Sequence, residues 1–197
     1  KTELPKKHKN LFFKITKNEF ENGIEKIIKQ LDKDTDIETS MKLHQLIAKI
    51  GDSHTSLSTS HITQKRKVFP VDFMWFKEGL FISGTTKDNY EILDKKILSI
   101  NGNKINTILD SLKTLNVAEN TALIKTNSSR LLESNVILKY FGFSKQNDSI
   151  YNLELSDING NISHYKLMEV ENDINFKKNK TFLKINAEKP FYRNGSG

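Results

Sequence analysis

The sequence of 197 residues contains no cysteine, three prolines and a single tryptophan. The absence of cysteine excludes disulfide bonds, thiolate metal ligands and a cysteine nucleophile. No apolar run approaches the roughly 20 residues needed to cross a bilayer, so we expect no membrane span. With 36% hydrophobic and 28% charged residues, the chain is typical of a globular protein rather than a disordered one.

Positive charge is abundant but not concentrated. The formal net charge is +7, and the densest basic run is Lys65-Arg66-Lys67. Nucleic-acid binders usually cluster such charge with aromatic residues or glycines, whereas here the lysines are dispersed among asparagines and glutamates. We therefore expect a solvated basic surface and no nucleic-acid partner.

Two capping signals dominate the first 55 residues. Thr16 to Glu19 and Thr35 to Glu38 both have the S/T-x-x-E form, in which the threonine oxygen and the glutamate each accept a free backbone N–H. Apolar residues at helical spacing follow each signal, and Gly51 stands where a helix C-terminal glycine belongs. The pattern predicts an antiparallel helical hairpin that forms an N-terminal subdomain over residues 1–55.

After Gly51 the periodicity changes from 3.6 to 2 residues. Asn101-Gly102 and Asn159-Gly160 are typical of hairpin turns. The predicted fold class is α+β, with the helical hairpin followed by a mixed β region over residues 56–170. Strands are predicted at 55–60, 68–76, 80–82, 96–100, 151–155 and 162–170, with a weaker signal near 182–185. Helices are predicted at 105–112 and 120–140, with a break expected in the second near 127–129.

Gly51-Asp52-Ser53-His54-Thr55 lies at the predicted junction between helix and strand. A histidine there is a candidate general base, because its ordinary pKa is close to neutral pH. Ser53 is a candidate for orienting a substrate or polarising a water, and Asp52 for capping or pairing. A Ser-His pair in a loop is also ordinary turn chemistry, so these residues alone leave both interpretations open.

The remaining histidines have simpler interpretations. His44 falls on an apolar helical stripe and is expected in the core or at its boundary. His61 and His164 lie in strand-like stretches and are expected to be exposed, while His8 is a candidate anchor of the N-terminal segment to the helical hairpin. No two histidines have the i, i+4 spacing of a helical zinc site, so the sequence predicts no metal and no cofactor.

Three motifs occur in a defined order. Residues 8–13, His-Lys-Asn-Leu-Phe-Phe, are similar to an H-x-N-L-F segment, and residues 51–55 to a G-D-x-H-T signature. Residues 95–105 are similar to the pattern G-D-x-I-L-x-I-N-G-x-x-I, although Leu93-Asp94-Lys95 replaces its usual Gly-Asp. Together, over most of residues 4–170, they resemble bacterial serine peptidases of the tail-specific (C-terminal processing) and tricorn-core family.

The resemblance implies a PDZ-like subdomain at about residues 68–116, although the sequence has no clean G-L-G-F-type carboxylate loop. In the tricorn-like branch it implies that His54 is the general base and that Ser53 is a supporting residue. In the tail-specific branch, a lysine far downstream is the base instead. Family members carry the nucleophilic serine in a later core domain, on a glycine-rich turn that this sequence lacks.

We therefore expect residues 171–197 to lead to a catalytic core beyond residue 197, and this chain alone to be inactive. The implied partners are that downstream core domain and an unfolded protein or peptide substrate. The resemblance also implies export to the periplasm, the cell envelope or the medium. Two alternatives remain open: a PDZ-like module that binds peptides by adding a strand to a sheet edge, and a catalytically inactive scaffold.

Overall fold

The computed structural model describes residues 3–12, 14–52, 54–57, 67–116, 121–171 and 183–184. Its helices are α1 (Glu3–Lys7), α2 (Lys17–Ile28), α3 (Asp36–Ala48), α4 (Ile105–Lys113), α5 (Thr121–Leu131) and α6 (Asn135–Tyr140). Its strands are β1 (Val71–Phe76), β2 (Gly79–Thr85), β3 (Lys96–Ile100), β4 (Asn103–Lys104), β5 (Ile150–Ser156), β6 (Ile162–Met168) and β7 (Leu183–Lys184), with a 3₁₀ helix at Lys87–Ile92. The predicted α+β class, with helices ahead of the strands, is confirmed.

The two predicted capping boxes begin α2 and α3. At the start of α3, the backbone N–H of Thr35 donates to Glu38 Oε2 at 2.8 Å, and the N–H of Glu38 donates to the threonine oxygen at 3.3 Å. Thr16 and Glu19 make the same pair of bonds at 2.9 and 3.2 Å. These bonds satisfy N–H groups that a helix start leaves without intrahelical partners.

The N-terminal segment packs against the helical hairpin. The two share a hydrophobic cluster that is separate from the core under the sheet. Its buried residues are Leu11, Ile15, Phe20, Ile27, Leu46 and Ile50. Beyond the end of α3, Gly51 adopts a φ of 73°, a conformation that favours glycine. A side chain at this position would also collide with Lys14. The segment that precedes α2 therefore lies directly against the chain that leaves α3.

The larger core lies under one antiparallel sheet. Its strand order is β1-β2-β3-β5-β6, with β4 paired to β3 and β7 paired to β2. Beyond β6, Val170 exchanges two backbone hydrogen bonds with Val68, at 2.8 and 2.9 Å, so the chain after the last long strand meets the chain that enters the first. Buried residues of α4 and α6, among them Ile108, Leu112 and Ile137, complete this core.

Two local predictions are corrected. Of the strand predicted at 55–60, the structure describes residues 55–57, and these form no strand. Thr55 instead turns back onto Asp52 through its N–H and its hydroxyl. The break expected near 127–129 falls instead after Leu131. Ser129 lies within α5, and its hydroxyl donates to the carbonyl of Lys125 at 3.2 Å, one turn earlier.

The subdomain boundaries at residues 55 and 170 and the PDZ-like subdomain at about 68–116 stay predictions. The sheet itself extends past residue 116, because β3 pairs with β5 over Lys96–Ile100 and Leu153–Ser156.

Candidate functional site

His54 lies on the short segment that leaves the end of α3. Its side chain is 92% exposed. Gly51 separates it from the helix, so the chain departs from the helix axis before the histidine is reached. Ser53, the other predicted site residue, lies outside the described residues. The imidazole is therefore presented on the surface at the end of the helical hairpin.

Asp52 organises this segment. Its Oδ1 accepts the backbone N–H of His54 at 3.0 Å and lies 3.3 Å from Nδ1 of the His54 ring. Its Oδ2 accepts the hydroxyl of Thr55 at 3.0 Å. One carboxylate thus fixes both the backbone and the ring of the candidate base.

A further donor comes from the N-terminal segment. Nε2 of His8 lies 2.9 Å from Asp52 Oδ2, across 44 residues of sequence, and the His8 side chain is only 11% exposed. The backbone N–H of Asn10 donates to His8 Nδ1 at 3.1 Å. Because a backbone N–H can only donate, Nδ1 accepts and Nε2 carries the proton that is donated to Asp52.

These contacts keep Asp52 ionised over a wide pH range. Hydrogen bonds from the backbone N–H of His54, from the Thr55 hydroxyl and then from His8 lower the pKa of Asp52 to about 2. The contact between His8 and Asp52 also brings together two of the three sequence motifs, residues 8–13 and 51–55. Sequence reasoning assigned Asp52 only to capping or pairing and did not identify His8 as its partner.

A second polar row crosses one face of the sheet, from the buried Ser99 to the exposed His164. The hydroxyl of Ser99 on β3 donates to Glu154 Oε2 on β5 at 2.9 Å, and Glu154 is paired in register with the exposed His164 on β6. The carboxylate stands between the serine and the histidine. A base must touch the nucleophile whose proton it takes, so this row is not arranged as a catalytic triad.

The third motif forms β3 and the turn that follows it. Asn101 and Gly102 have φ values of 51° and 77°, as a two-residue turn with both central residues left-handed requires. Asp94, which stands where the pattern has glycine, has a φ of 69°. Its Oδ1 is buried without a hydrogen-bond partner among the described residues, and burial raises the pKa of this carboxyl. Asp94 therefore replaces the glycine of the motif at a position whose backbone conformation still favours glycine.

Within the described residues, no group of three or more His, Asp or Glu side chains is placed to hold a metal ion. In the same part of the chain, no helix is long and apolar enough to span a membrane.

Three solved structures have a similar fold. One is mature CPAF complexed with lactacystin, with a TM-score of 0.54 and 14% identity over 75% of this chain. A mutant of CPAF gives 0.54 and 12% identity over 77% of this chain, and mature CPAF alone gives 0.51 and 14% over 75%. CPAF is a chlamydial serine protease of the tail-specific protease family. At this identity the likeness is one of fold.

The matched region is 28% of each CPAF chain, so this chain spans well under half of the proteins that it resembles. No protein-family model matches the sequence. No curated protein matches it either.

Proposed function

We propose that this chain is the base-bearing and substrate-guiding part of a serine endopeptidase. The observation that carries the proposal is the placement of His54: an exposed imidazole with Nδ1 against Asp52 and Nε2 free of that contact. The likeness of fold to part of CPAF supports only the coarser statement that the chain is a fragment related to a protease. In this proposal the nucleophilic serine belongs to a core domain that follows residue 197.

The proposed chemistry follows the tricorn-like branch of the family. Nε2 of His54 takes the proton of the serine hydroxyl while the serine oxygen attacks the peptide carbonyl carbon. The imidazolium then returns that proton to the amine that leaves, and water hydrolyses the acyl-enzyme. General-base assistance of this kind is worth about 10²–10⁴-fold in rate. Ser53 is proposed to support the base rather than to act as the nucleophile.

The proposal is tested in a protein that joins this chain to its following core domain. His54→Ala is expected to lower kcat by at least about a hundredfold, while the melting temperature changes by no more than a few degrees because the side chain is exposed. His164→Ala, at another exposed histidine, is the matched control and should leave kcat unchanged. Near-normal turnover of the His54 variant would show that the base lies elsewhere.

The 197-residue chain alone is expected to have no peptidase activity, because covalent catalysis needs the nucleophile and the base within hydrogen-bond reach. Casein digestion and labelling with a fluorophosphonate probe provide the measurement, with the urea-unfolded chain as the control. Specific labelling of a serine in the folded chain would mean that the nucleophile is already present.

One observation favours a second function, the binding of peptides. Among the described residues, β6 pairs with β5 alone over Ile162–Met168, and Ile162 and Met168 at its two ends are 53% and 62% exposed. A regular edge strand of this kind can accept an extended peptide as an additional strand. Amide exchange of β6, measured with and without an unfolded substrate, tests this alternative: new protection along β6 supports it, and unchanged exchange contradicts it.

The compartment belongs to the same proposal. Export to the periplasm, the cell envelope or the medium is supported by the resemblance alone. Fractionation of cells that express the intact protein is the direct measurement, and recovery in the cytoplasm would contradict it.

A further inference from the structure

The carboxylate of Asp52 lies between two imidazoles that come from different parts of the chain. Its Oδ2 faces the partly buried ring of His8, and its Oδ1 faces the exposed ring of His54. Oδ2 also accepts a hydrogen bond from the hydroxyl of Thr55. We infer that His8 and Asp52 are positioning residues that set the orientation and the tautomer of His54. This inference rests on the proposed role of His54 as the base.

The direction of the hydrogen bonds follows from one group that can only donate, the backbone N–H of Asn10, and one that can only accept, the ionised carboxylate of Asp52. The N–H of Asn10 holds Nδ1 of His8 as an acceptor, so Nε2–H of His8 points at Asp52. An ionised carboxylate can only accept, so the ring nitrogen of His54 that faces it must carry a proton. Nδ1–H of His54 therefore donates to Asp52, and Nε2 keeps the lone pair that a general base needs.

Asp52 also acts on the backbone. The N–H of His54 donates to Oδ1 at 3.0 Å, a shorter contact than the one with the ring at 3.3 Å. Because the same oxygen holds the main chain and faces the ring, His54 is restrained at its backbone N–H and at Nδ1 of its imidazole. An exposed histidine without such a partner would sample several rotamers, and each unproductive rotamer would reduce the fraction of molecules that are ready to react.

His8 keeps the carboxylate in place. It approaches from the N-terminal segment, which is fixed on the hairpin through the buried Leu11 and Ile15. The side chain of Asp52 is therefore held between the packed N-terminal segment and the turn at Thr55. Loss of His8 should leave the turn intact but allow Asp52 to change its rotamer. The effect on His54 should then be smaller than the effect of removing the carboxylate itself.

The test uses the 197-residue chain with ¹⁵N-labelled histidine. Long-range proton–nitrogen spectra at neutral pH report which ring nitrogen of each histidine carries the proton. We expect the Nδ1–H form of His54 and the Nε2–H form of His8 to predominate. Asp52→Asn should shift His54 towards the Nε2–H form, and His8→Phe should shift it partly. Ring signals of His54 that stay the same in Asp52→Asn would overturn the inference.

Two controls separate a local effect from unfolding. The ring signals of His164, on β6, should be unchanged in every variant, and the amide spectrum of the sheet should stay dispersed. If Asp52→Asn unfolds the hairpin, Thr55→Val provides a milder change, since it removes one donor and leaves the carboxylate. This variant should retain the Nδ1–H form of His54. A complete change of tautomer in Thr55→Val would contradict the assignment to the carboxylate.

Activity in the longer protein distinguishes this inference from the proposed function. Asp52→Asn is expected to lower kcat about tenfold or more with little change in KM, because orientation of the base affects the chemical step. If His54→Ala keeps its activity, the proposed function fails whatever the spectra show. If His54→Ala is inactive but Asp52→Asn changes neither kcat nor the tautomer, the positioning role alone fails.

Discussion

The hydroxyl of Tyr140, at the end of α6, donates a hydrogen bond to Gln45 Oε1 on α3 at 2.9 Å, across 95 residues of sequence. The amide of Gln45 in turn donates to the Thr114 hydroxyl, just after α4, at 2.8 Å. One glutamine side chain therefore connects the helical hairpin to two elements that pack on the sheet. The hairpin that carries His54 is held to the β region partly through this contact.

Tyr140→Phe is expected to lower the free energy of unfolding by about 1 kcal/mol, the usual net contribution of one hydrogen bond. The change removes the hydroxyl and leaves the ring in place. Urea denaturation followed by circular dichroism provides the measurement. Tyr90→Phe, at a tyrosine that is 63% exposed, is the matched control and should be neutral. Equal losses in the two variants would show that the contact with Gln45 contributes nothing.

Asp94→Gly is expected to stabilise the fold by about 1 kcal/mol, since glycine adopts a φ of 69° without the steric cost that other residues incur. Asp94→Asn separates the steric cost of the positive φ from the effect of the charge, because it removes the ionisable group and keeps the side chain. Thermal unfolding of both variants at neutral pH measures the difference. A lower melting temperature for Asp94→Gly would mean that the carboxylate makes a favourable contribution.

The raised pKa of Asp94 gives this position a defined pH dependence. Burial raises the pKa in the folded chain above the ordinary value of 3.8, so the folded state binds the proton more tightly than the unfolded state. The wild type should therefore lose stability relative to Asp94→Asn as the pH rises from below 3.8 through the raised pKa. A difference between the two proteins that is constant from pH 3 to pH 7 would contradict this.

His44 should have the opposite dependence. Burial lowers its pKa below the ordinary value of 6.5, so the unfolded chain binds the proton more tightly. Its contribution to stability is present above pH 6.5 and is lost as the pH falls through 6.5 towards the lower folded pKa. His44→Gln should flatten the decline of the melting temperature over this range. His164→Gln is the matched control, at an exposed histidine.

Thr35→Ala is expected to cost about 1 kcal/mol, because it removes the cap that accepts the N–H of Glu38. Thr39→Ala, one turn into the same helix, is the comparison and should be neutral or slightly stabilising, because alanine favours a helix. Chemical denaturation measures both variants. A loss in Thr39→Ala as large as the loss in Thr35→Ala would indicate a general effect of shortening threonine rather than the loss of a cap.

The sequence by itself determined the features that depend on neighbouring residues. The caps at Thr16 and Thr35, the turn at Asn101-Gly102 and the change of periodicity after Gly51 predicted the helices, the hairpin turn and the α+β class. These features could be predicted because their energies depend on residues within about one turn of each other. The same reasoning placed His54 at the end of the hairpin.

Only the tertiary structure decided which distant groups meet. The contact of His8 with Asp52 and that of Tyr140 with Gln45 join residues 44 and 95 positions apart. The periodicity of the sequence cannot predict such pairs, because they form only when buried faces pack together and bring distant parts of the chain into contact. The alternation of small polar residues also predicted a strand over 55–60, whereas residues 55–57, its described part, form no strand, and Thr55 turns back onto the carboxylate of Asp52. A side chain that collects hydrogen bonds from several segments outweighed the weak strand preference of a few small polar residues.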